Sequence, residues 1–199
     1  MTDVAIINNG GANIASLQFA LDRLGAASRV TADIAELRSA RRVILPGVGA
    51  AGDAMGRLRA LGLVDVIPSL TQPVLGICLG MQLLFEGSAE GDTQCLGLIP
   101  ARVERFPDRV GFPVPHMGWN QLRKRQDSAL LQGLDESAYV YFVHSYAAPV
   151  GAWTVATSDY GGEFSALVRV RNFSGAQFHP ERSSRPGSQL LRNFLEAED

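Results

Sequence analysis

Cys78 is the residue of this chain best placed to do chemistry. It stands in Gly76-Ile77-Cys78-Leu79-Gly80, at the end of an apolar run that begins at Val74. Gly-x-Cys-x-Gly has the spacing of a nucleophile elbow, where a strand turns sharply into a helix and one side chain is presented at the bend. A glycine two residues to either side leaves room where side chains would collide. The following helix would aim free backbone N–H groups and its positive dipole end at the sulfur, which favours thiolate. The competing reading is a buried structural cysteine, since a free thiol packs like a small hydrophobe.

A reactive thiol needs a base, and Gln177-Phe178-His179-Pro180-Glu181 supplies one. In an extended segment residues i and i+2 face the same side, so Glu181 is expected to orient and charge-stabilise His179 while Pro180 stiffens the segment. An ordinary strand-end surface pair is the alternative for these two residues. An ordinary thiol, with pKa near 8.5, is only a few per cent thiolate at neutral pH. Pairing with His179 and a helix end could lower that pKa. Cys78 would then attack an acyl carbon, with His179 passing a proton to a leaving nitrogen, which is acyl transfer from an amide. The tetrahedral intermediate needs donors. Leu79 N–H is the elbow's usual contribution. A second donor could come from Gly47, Val48 or Gly49 in Pro46-Gly47-Val48-Gly49, where glycine lets backbone N–H groups approach a ligand. Alone, that segment would read as a plain Pro-Gly turn.

The elements that must carry these residues alternate along the first half of the chain. Val4 to Asn8, Ala27 to Val30, Val43 to Leu45 (stopped by Pro46-Gly47) and the run from Pro73 to Cys78 read as short buried strands. Ile14, Leu17, Leu21 and Leu24 recur at helical spacing with Gly25 at a C-cap position, Asp33 can cap a helix to Ser39, and Asp53 to Leu61 and Val64 to Leu70 also look helical. Such alternation implies parallel βαβ units, hence a three-layer α/β fold: an open, mostly parallel twisted sheet with helices on both faces. Parallel strands deliver their C-terminal ends to one edge, which would bring Cys78 and His179 together. Further strands are expected at Leu98 to Phe106, Gly118 to Leu122, Tyr139 to Val143, Thr154 to Thr157, Ala166 to Val170 and Gly175 to Phe178, and a last helix at about Gly187 to Ala197.

The 199 residues suit one α/β domain over 1–199, and a hydrophobic fraction of 46% is ordinary for a globular chain with a full core. A balance of 18 basic against 20 acidic residues argues against nucleic acid or an anionic membrane as partner. No signal-like start precedes Val4 and no apolar run reaches membrane-span length, so a reducing cytoplasm is the expected setting. There Cys78 and Cys95 would stay unpaired. His116 and His144 could be mistaken for metal ligands. With only three histidines and no cysteine pair at ligand spacing, neither a metal nor another cofactor is expected.

Read together, Gly-Ile-Cys-Leu-Gly-Met-Gln at 76–82, Pro46-Gly47-Val48-Gly49 and Phe178-His179-Pro180-Glu181 resemble the class I, triad-type glutamine amidotransferases. His116-Met117-Gly118-Trp119-Asn120, Tyr141-Phe142-Val143-His144-Ser145-Tyr146 and His179-Pro180-Glu181-Arg182-Ser183 narrow the likeness to the glutaminase subunits of imidazole glycerol phosphate synthase, over nearly the whole chain. The resemblance implies hydrolysis of L-glutamine to glutamate and ammonia by Cys78, His179 and Glu181. Gln82, Ser145 and Tyr146 would bind the substrate, and ammonia would pass to a separate (β/α)₈-barrel cyclase subunit. It also implies a partner-facing surface carrying Asn13, Trp119, Asn120, Tyr141 and Arg182, although Trp119 and Tyr141 could equally be core aromatics. Asn8-Asn9 departs from the family's usual Asp-Tyr-like start, and Arg182 stands where lysine is common, keeping the charge but changing its hydrogen-bond geometry. A glutaminase component of anthranilate or aminodeoxychorismate synthase is the near alternative, and a non-catalytic regulatory scaffold the distant one.

Overall fold

The computed structural model describes residues 3–10 and 14–197, so Asn13 lies outside the described residues. The apolar runs of the first half become β1 (Val4–Ile7), β2 (Ser28–Thr31), β3 (Arg42–Gly47) and β4 (Val74–Cys78). They alternate with α1 (Ile14–Arg23), α2 (Ile34–Ser39) and α3 (Ala51–Ala60), and a single helical turn, α4 (Leu79–Gln82), follows β4 directly. Asp33 caps α2 by accepting from Glu36 N–H at 2.9 Å.

The chain continues through β5 (Phe85–Ser88), β6 (Thr93–Gln94), β7 (Ile99–Arg105), β8 (His116–Gln121), β9 (Arg123–Lys124), β10 (Tyr139–His144) and β11 (Tyr146–Ala147). It ends with β12 (Thr154–Asp159), β13 (Glu163–Val170), β14 (Phe173–Ala176) and α5 (Ser184–Glu196).

Eight strands form the main sheet in the order β2-β1-β3-β4-β14-β13-β12-β9. The first five are parallel, and β13, β12 and β9 extend it antiparallel. Strand side chains alternate between two cores, as period-two geometry requires. Val4 and Ile6 pack with Leu17 and Leu21 of α1 and Leu190, Leu191 and Phe194 of α5. Ala5 and Ile7 pack on the other face with Leu37 of α2 and Ala54, Met55 and Leu58 of α3. Helices therefore cover both faces, giving the three layers expected. Beside this sheet lie a four-stranded sheet, β11-β7-β5-β6, and the two-stranded ribbon β10-β8.

Two local expectations fail for physical reasons. Val64 to Leu70 is not an α-helix but contains only a 3₁₀ turn, Ile67–Ser69, because Pro68 has no N–H to donate and so interrupts the α-helical ladder. Pro46-Gly47 does not stop the third strand, which runs on to Gly47 in register with β4. On its other side β3 pairs with β1 only as far as Ile44, so Pro46 lies where that edge has no strand neighbour. Asn9 Nδ2 takes that place, donating to the Pro46 carbonyl at 2.8 Å.

Candidate active site

The strand-to-helix transition places Cys78 at φ 52°, ψ −112°, a left-handed conformation costly for a residue with a side chain. The flanking glycines are required by contact. A Cβ on Gly76 would stand 2.6 Å from the Gly80 carbonyl oxygen, and one on Gly80 would overlap the carbonyl oxygen of Leu45. Gly47 abuts the same turn, where a Cβ would lie 2.8 Å from Gly80 N. The bend is thus wedged between β3 and its own strand, and α4 begins with Leu79 immediately after the sulfur-bearing residue.

His179 arrives from the neighbouring strand. β14 runs parallel to β4 with Ala176 opposite Ile77, which brings the segment after β14 level with Cys78. Its backbone is fixed on β10: His179 N–H donates to the Tyr141 carbonyl at 3.0 Å. Ser183 Oγ donates to the His179 carbonyl at 2.7 Å and accepts from Tyr141 N–H at 2.9 Å. Glu181 Oε1 meets His179 Nδ1 at 2.8 Å, with the Glu181 side chain only 7% exposed. The route to that contact differs from the extended segment expected. Pro180–Arg182 is a 3₁₀ turn, and it is this turn that folds the carboxylate back onto the ring.

The Cys78 side chain interacts with the same imidazole. Burial is the largest single influence on His179 and pulls its pKa down. The hydrogen bonds and charges of Cys78 and Glu181 together outweigh it and push the value up to about 10. An imidazolium beside the sulfur is the partner a thiolate nucleophile needs. Cys95 makes the contrast: it is buried and free in the other core, and burial pushes its thiol up to about 11.

Cys78 and His179 open into a cleft of about 340 Å³. Val48, Gly49, Leu79, Gln82, Ser145 and Tyr146, all anticipated from sequence, line it, while Gly47 lies behind the wall against Leu79 and Gly80. Gln82 is largely occupied within the protein: its Nε2 donates to the Tyr146 carbonyl at 2.9 Å and to Gln177 Oε1 at 3.0 Å. Gln177 Nε2 in turn stands 3.8 Å from Cys78 Sγ.

Sequence reasoning missed Glu90, Pro115, Val143 and His144 as lining residues. Glu90 sits in Ala89-Glu90-Gly91-Asp92, which reads as ordinary surface turn, and its Oε2 accepts from Ala51 N–H at the start of α3, 2.8 Å away. His144 was legible only through its neighbours Ser145 and Tyr146.

The residues anticipated to face a partner divide. Trp119 is 52% exposed and its ring lies 6.1 Å from that of Tyr141, while the Arg182 guanidinium sits 4.8 Å above the Tyr141 ring. Asn120 is half-buried and its side chain is engaged within the chain, donating to the Asp159 carbonyl at 2.7 Å.

A thiol at a strained elbow, braced by a histidine–carboxylate pair on a doubly covered parallel sheet, is the arrangement of a triad-type amidotransferase. A model of the family described as glutamine amidotransferase class-I matches residues 5–197, and the chain belongs to that family. Within it the chain belongs with the subunits called imidazole glycerol phosphate synthase subunit HisH. That of Xanthomonas axonopodis pv. citri is 59% identical over 98% of both chains, and that of Xylella fastidiosa strain Temecula1 is 53% identical over 98% of both.

Solved structures share the fold at lower identity. A glutamine amidotransferase superposes with TM-score 0.75 at 22% identity, covering 98% of this chain and 97% of its own. A glutamine amidotransferase of Thermotoga maritima gives TM-score 0.70 at 18% identity, covering 97% of this chain and 96% of its own.

Proposed function

We propose that this chain is the glutaminase subunit of an imidazole glycerol phosphate synthase, acting in histidine biosynthesis. In this reading it works as one domain in the cytoplasm, in complex with a (β/α)₈-barrel cyclase subunit. Cys78 is the nucleophile: its sulfur attacks the side-chain amide carbon of L-glutamine, and the carbonyl electrons move onto oxygen. Leu79 N–H and an N–H of the Gly47–Gly49 segment hold that oxyanion. His179, charged and oriented by Glu181, gives its proton to the amide nitrogen, which leaves as ammonia. Water then attacks the thioester, His179 takes its proton, and glutamate departs with the sulfur restored.

The observation that carries the reading is the meeting of Cys78 and His179 in one cleft, with Glu181 against the far nitrogen of the ring. Ser145 and Tyr146 form the wall opposite the elbow, where backbone groups can grip the substrate. Trp119, Tyr141 and Arg182 supply an exposed aromatic-cationic patch suited to the cyclase, since aromatic and arginine side chains dominate interface energetics. In this reading ammonia passes from the cleft to the cyclase shielded from bulk water.

The test is Cys78→Ala in the assembled synthase. Glutamine-supported synthesis should vanish while synthesis from added ammonium salts persists. Loss of both activities would make Cys78 a structural residue and overturn the assignment.

A further inference from the structure

Two buried imidazoles take no part in that chemistry. His116 of β8 and His144 of β10 are paired across the ribbon, with His116 Nδ1 3.0 Å from His144 Nε2. At one end His144 Nδ1 lies 2.8 Å from the Tyr146 carbonyl oxygen. At the other, Asn120 Nδ2 lies 3.4 Å from His116 Nε2. The two ends dictate where the protons sit. A carbonyl oxygen can only accept, so His144 carries its hydrogen on Nδ1 and its Nε2 is bare. His116 must therefore donate from Nδ1, which leaves its Nε2 to accept from the Asn120 amide.

The surroundings of the pair are mostly apolar and disfavour charge. Phe142 and Tyr160 stack on the His116 ring at 4.9 and 4.0 Å, and Phe106 and Phe164 surround both imidazoles. Burial pulls His116 down to about 4. Burial likewise pulls His144 down to about 3, against the opposing pull of its bond to Tyr146.

The Tyr146 carbonyl receives a second donor, Gln82 Nε2 at 2.9 Å, and Gln82 continues through Gln177 to the sulfur of Cys78. One carbonyl on the cleft wall is thus gripped from the β8–β10 ribbon and from the elbow helix at once. We propose that His116 and His144 are positioning residues for glutamine: as a neutral pair, each protonated on Nδ1, they clamp the Tyr146 carbonyl and hold the Ser145–Tyr146 wall in its substrate-binding position. This rests on the glutaminase reading.

Packing alone would predict the opposite mutational order from a clamp, which makes the two separable. His116→Phe keeps the aromatic stack and removes the donor. His116→Asn places an amide nitrogen where Nδ1 was and loses the stack. Both variants are assayed in the assembled synthase with glutamine and with ammonium salts, beside Cys78→Ala, with thermal unfolding as the check on folding.

His116→Phe should raise KM for glutamine about tenfold, the loss expected of one buried hydrogen bond, with kcat and ammonium-supported synthesis little changed. His116→Asn should restore most of the parent KM. A parental KM in His116→Phe, or equal impairment of the two variants, overturns the clamp. Nitrogen NMR of the unsubstituted chain tests it without relying on any variant: both rings must be neutral with hydrogen on Nδ1, and an Nε2-protonated or cationic ring at neutral pH overturns it. If Cys78→Ala retained glutamine turnover, the glutaminase reading itself would fail and the clamp with it. Loss in Cys78→Ala beside an unaffected His116→Phe would sink the clamp alone.

Discussion

Gly80 lies against the Leu45 carbonyl with no room for a methyl group between them. The contact joins the helix after the elbow to the strand that bears Pro46-Gly47, so Cys78 and the anticipated oxyanion segment are held by one piece of backbone packing. Gly80→Ala should force those backbones apart and cost at least the roughly 1–3 kcal/mol typical of overpacking. Chemical denaturation reads this directly. Gly56→Ala is the counter-case: it lies exposed inside α3 with nothing within 4 Å of an added Cβ, and should stabilise by about 0.5–1 kcal/mol.

Glu181→Gln should leave His179 in place but remove the charge that favours its protonated form. Glutamine-supported turnover is expected to drop on the order of 10²-fold or more, the range of a lost acid–base contribution. Ammonium-supported synthesis should not change. Steady-state rates with each nitrogen source decide it.

Ser183 is fully buried and ties the His179 carbonyl to the backbone of Tyr141. Ser183→Ala leaves the part-buried Tyr141 N–H without this acceptor, at a cost of about 0.5–1.5 kcal/mol. The expected readout is a lower unfolding midpoint accompanied by reduced kcat, because the same hydroxyl seats the imidazole.

Stability should fall on both sides of neutrality. His116 and His144 have folded values of about 4 and about 3 against 6.5 unfolded. Below pH 6.5 the unfolded chain takes up protons that the folded chain refuses, so stability declines as pH drops toward 4. His179, at about 10 against 6.5, acts in the other sense: its contribution is complete below pH 6.5 and is lost as pH rises toward 10. Unfolding midpoints measured across this range should form a dome, with the acid limb flattened in His116→Asn and the alkaline limb in Glu181→Gln.

Trp119→Ala should weaken binding to the cyclase subunit by about tenfold or more while leaving the unfolding midpoint of the isolated chain nearly unchanged, as expected for a half-exposed anchor. Titration calorimetry and thermal unfolding separate the two effects.

Much of the geometry of the candidate site was legible because its determinants are local. An apolar run that ends at a cysteine between glycines must bend there, and four such runs separated by amphipathic helices must build a parallel sheet. Gly25 at φ 76° ends α1 where its position implied. What escaped depends on distant partners. The two-residue strands β6, β9 and β11 exist only because neighbours pair with them. Gln177 was visible beside His179, yet nothing nearby indicated that it bonds Gln82, 95 residues away. In sequence, His116 and His144 suggest no more than a poor metal site. Asn120 and Tyr146 stand close to them in sequence, but only the β8–β10 pairing brings the two imidazoles together and joins those contacts into one chain. Pro68 was a local cue against a helix at Val64 to Leu70, and the apolar spacing obscured it.

The sulfur and its imidazole ride on adjacent, hydrogen-bonded strands of the main sheet. The facing wall instead follows a separate ribbon and leads into the smaller sheet. Yet the segment bearing the imidazole is also fastened to that ribbon, His179 N–H on the Tyr141 carbonyl, and the wall is fastened to the elbow helix, Gln82 on the Tyr146 carbonyl. Any shift of the ribbon would drag the imidazole with it, so the width of the cleft and the alignment of sulfur with ring are set together.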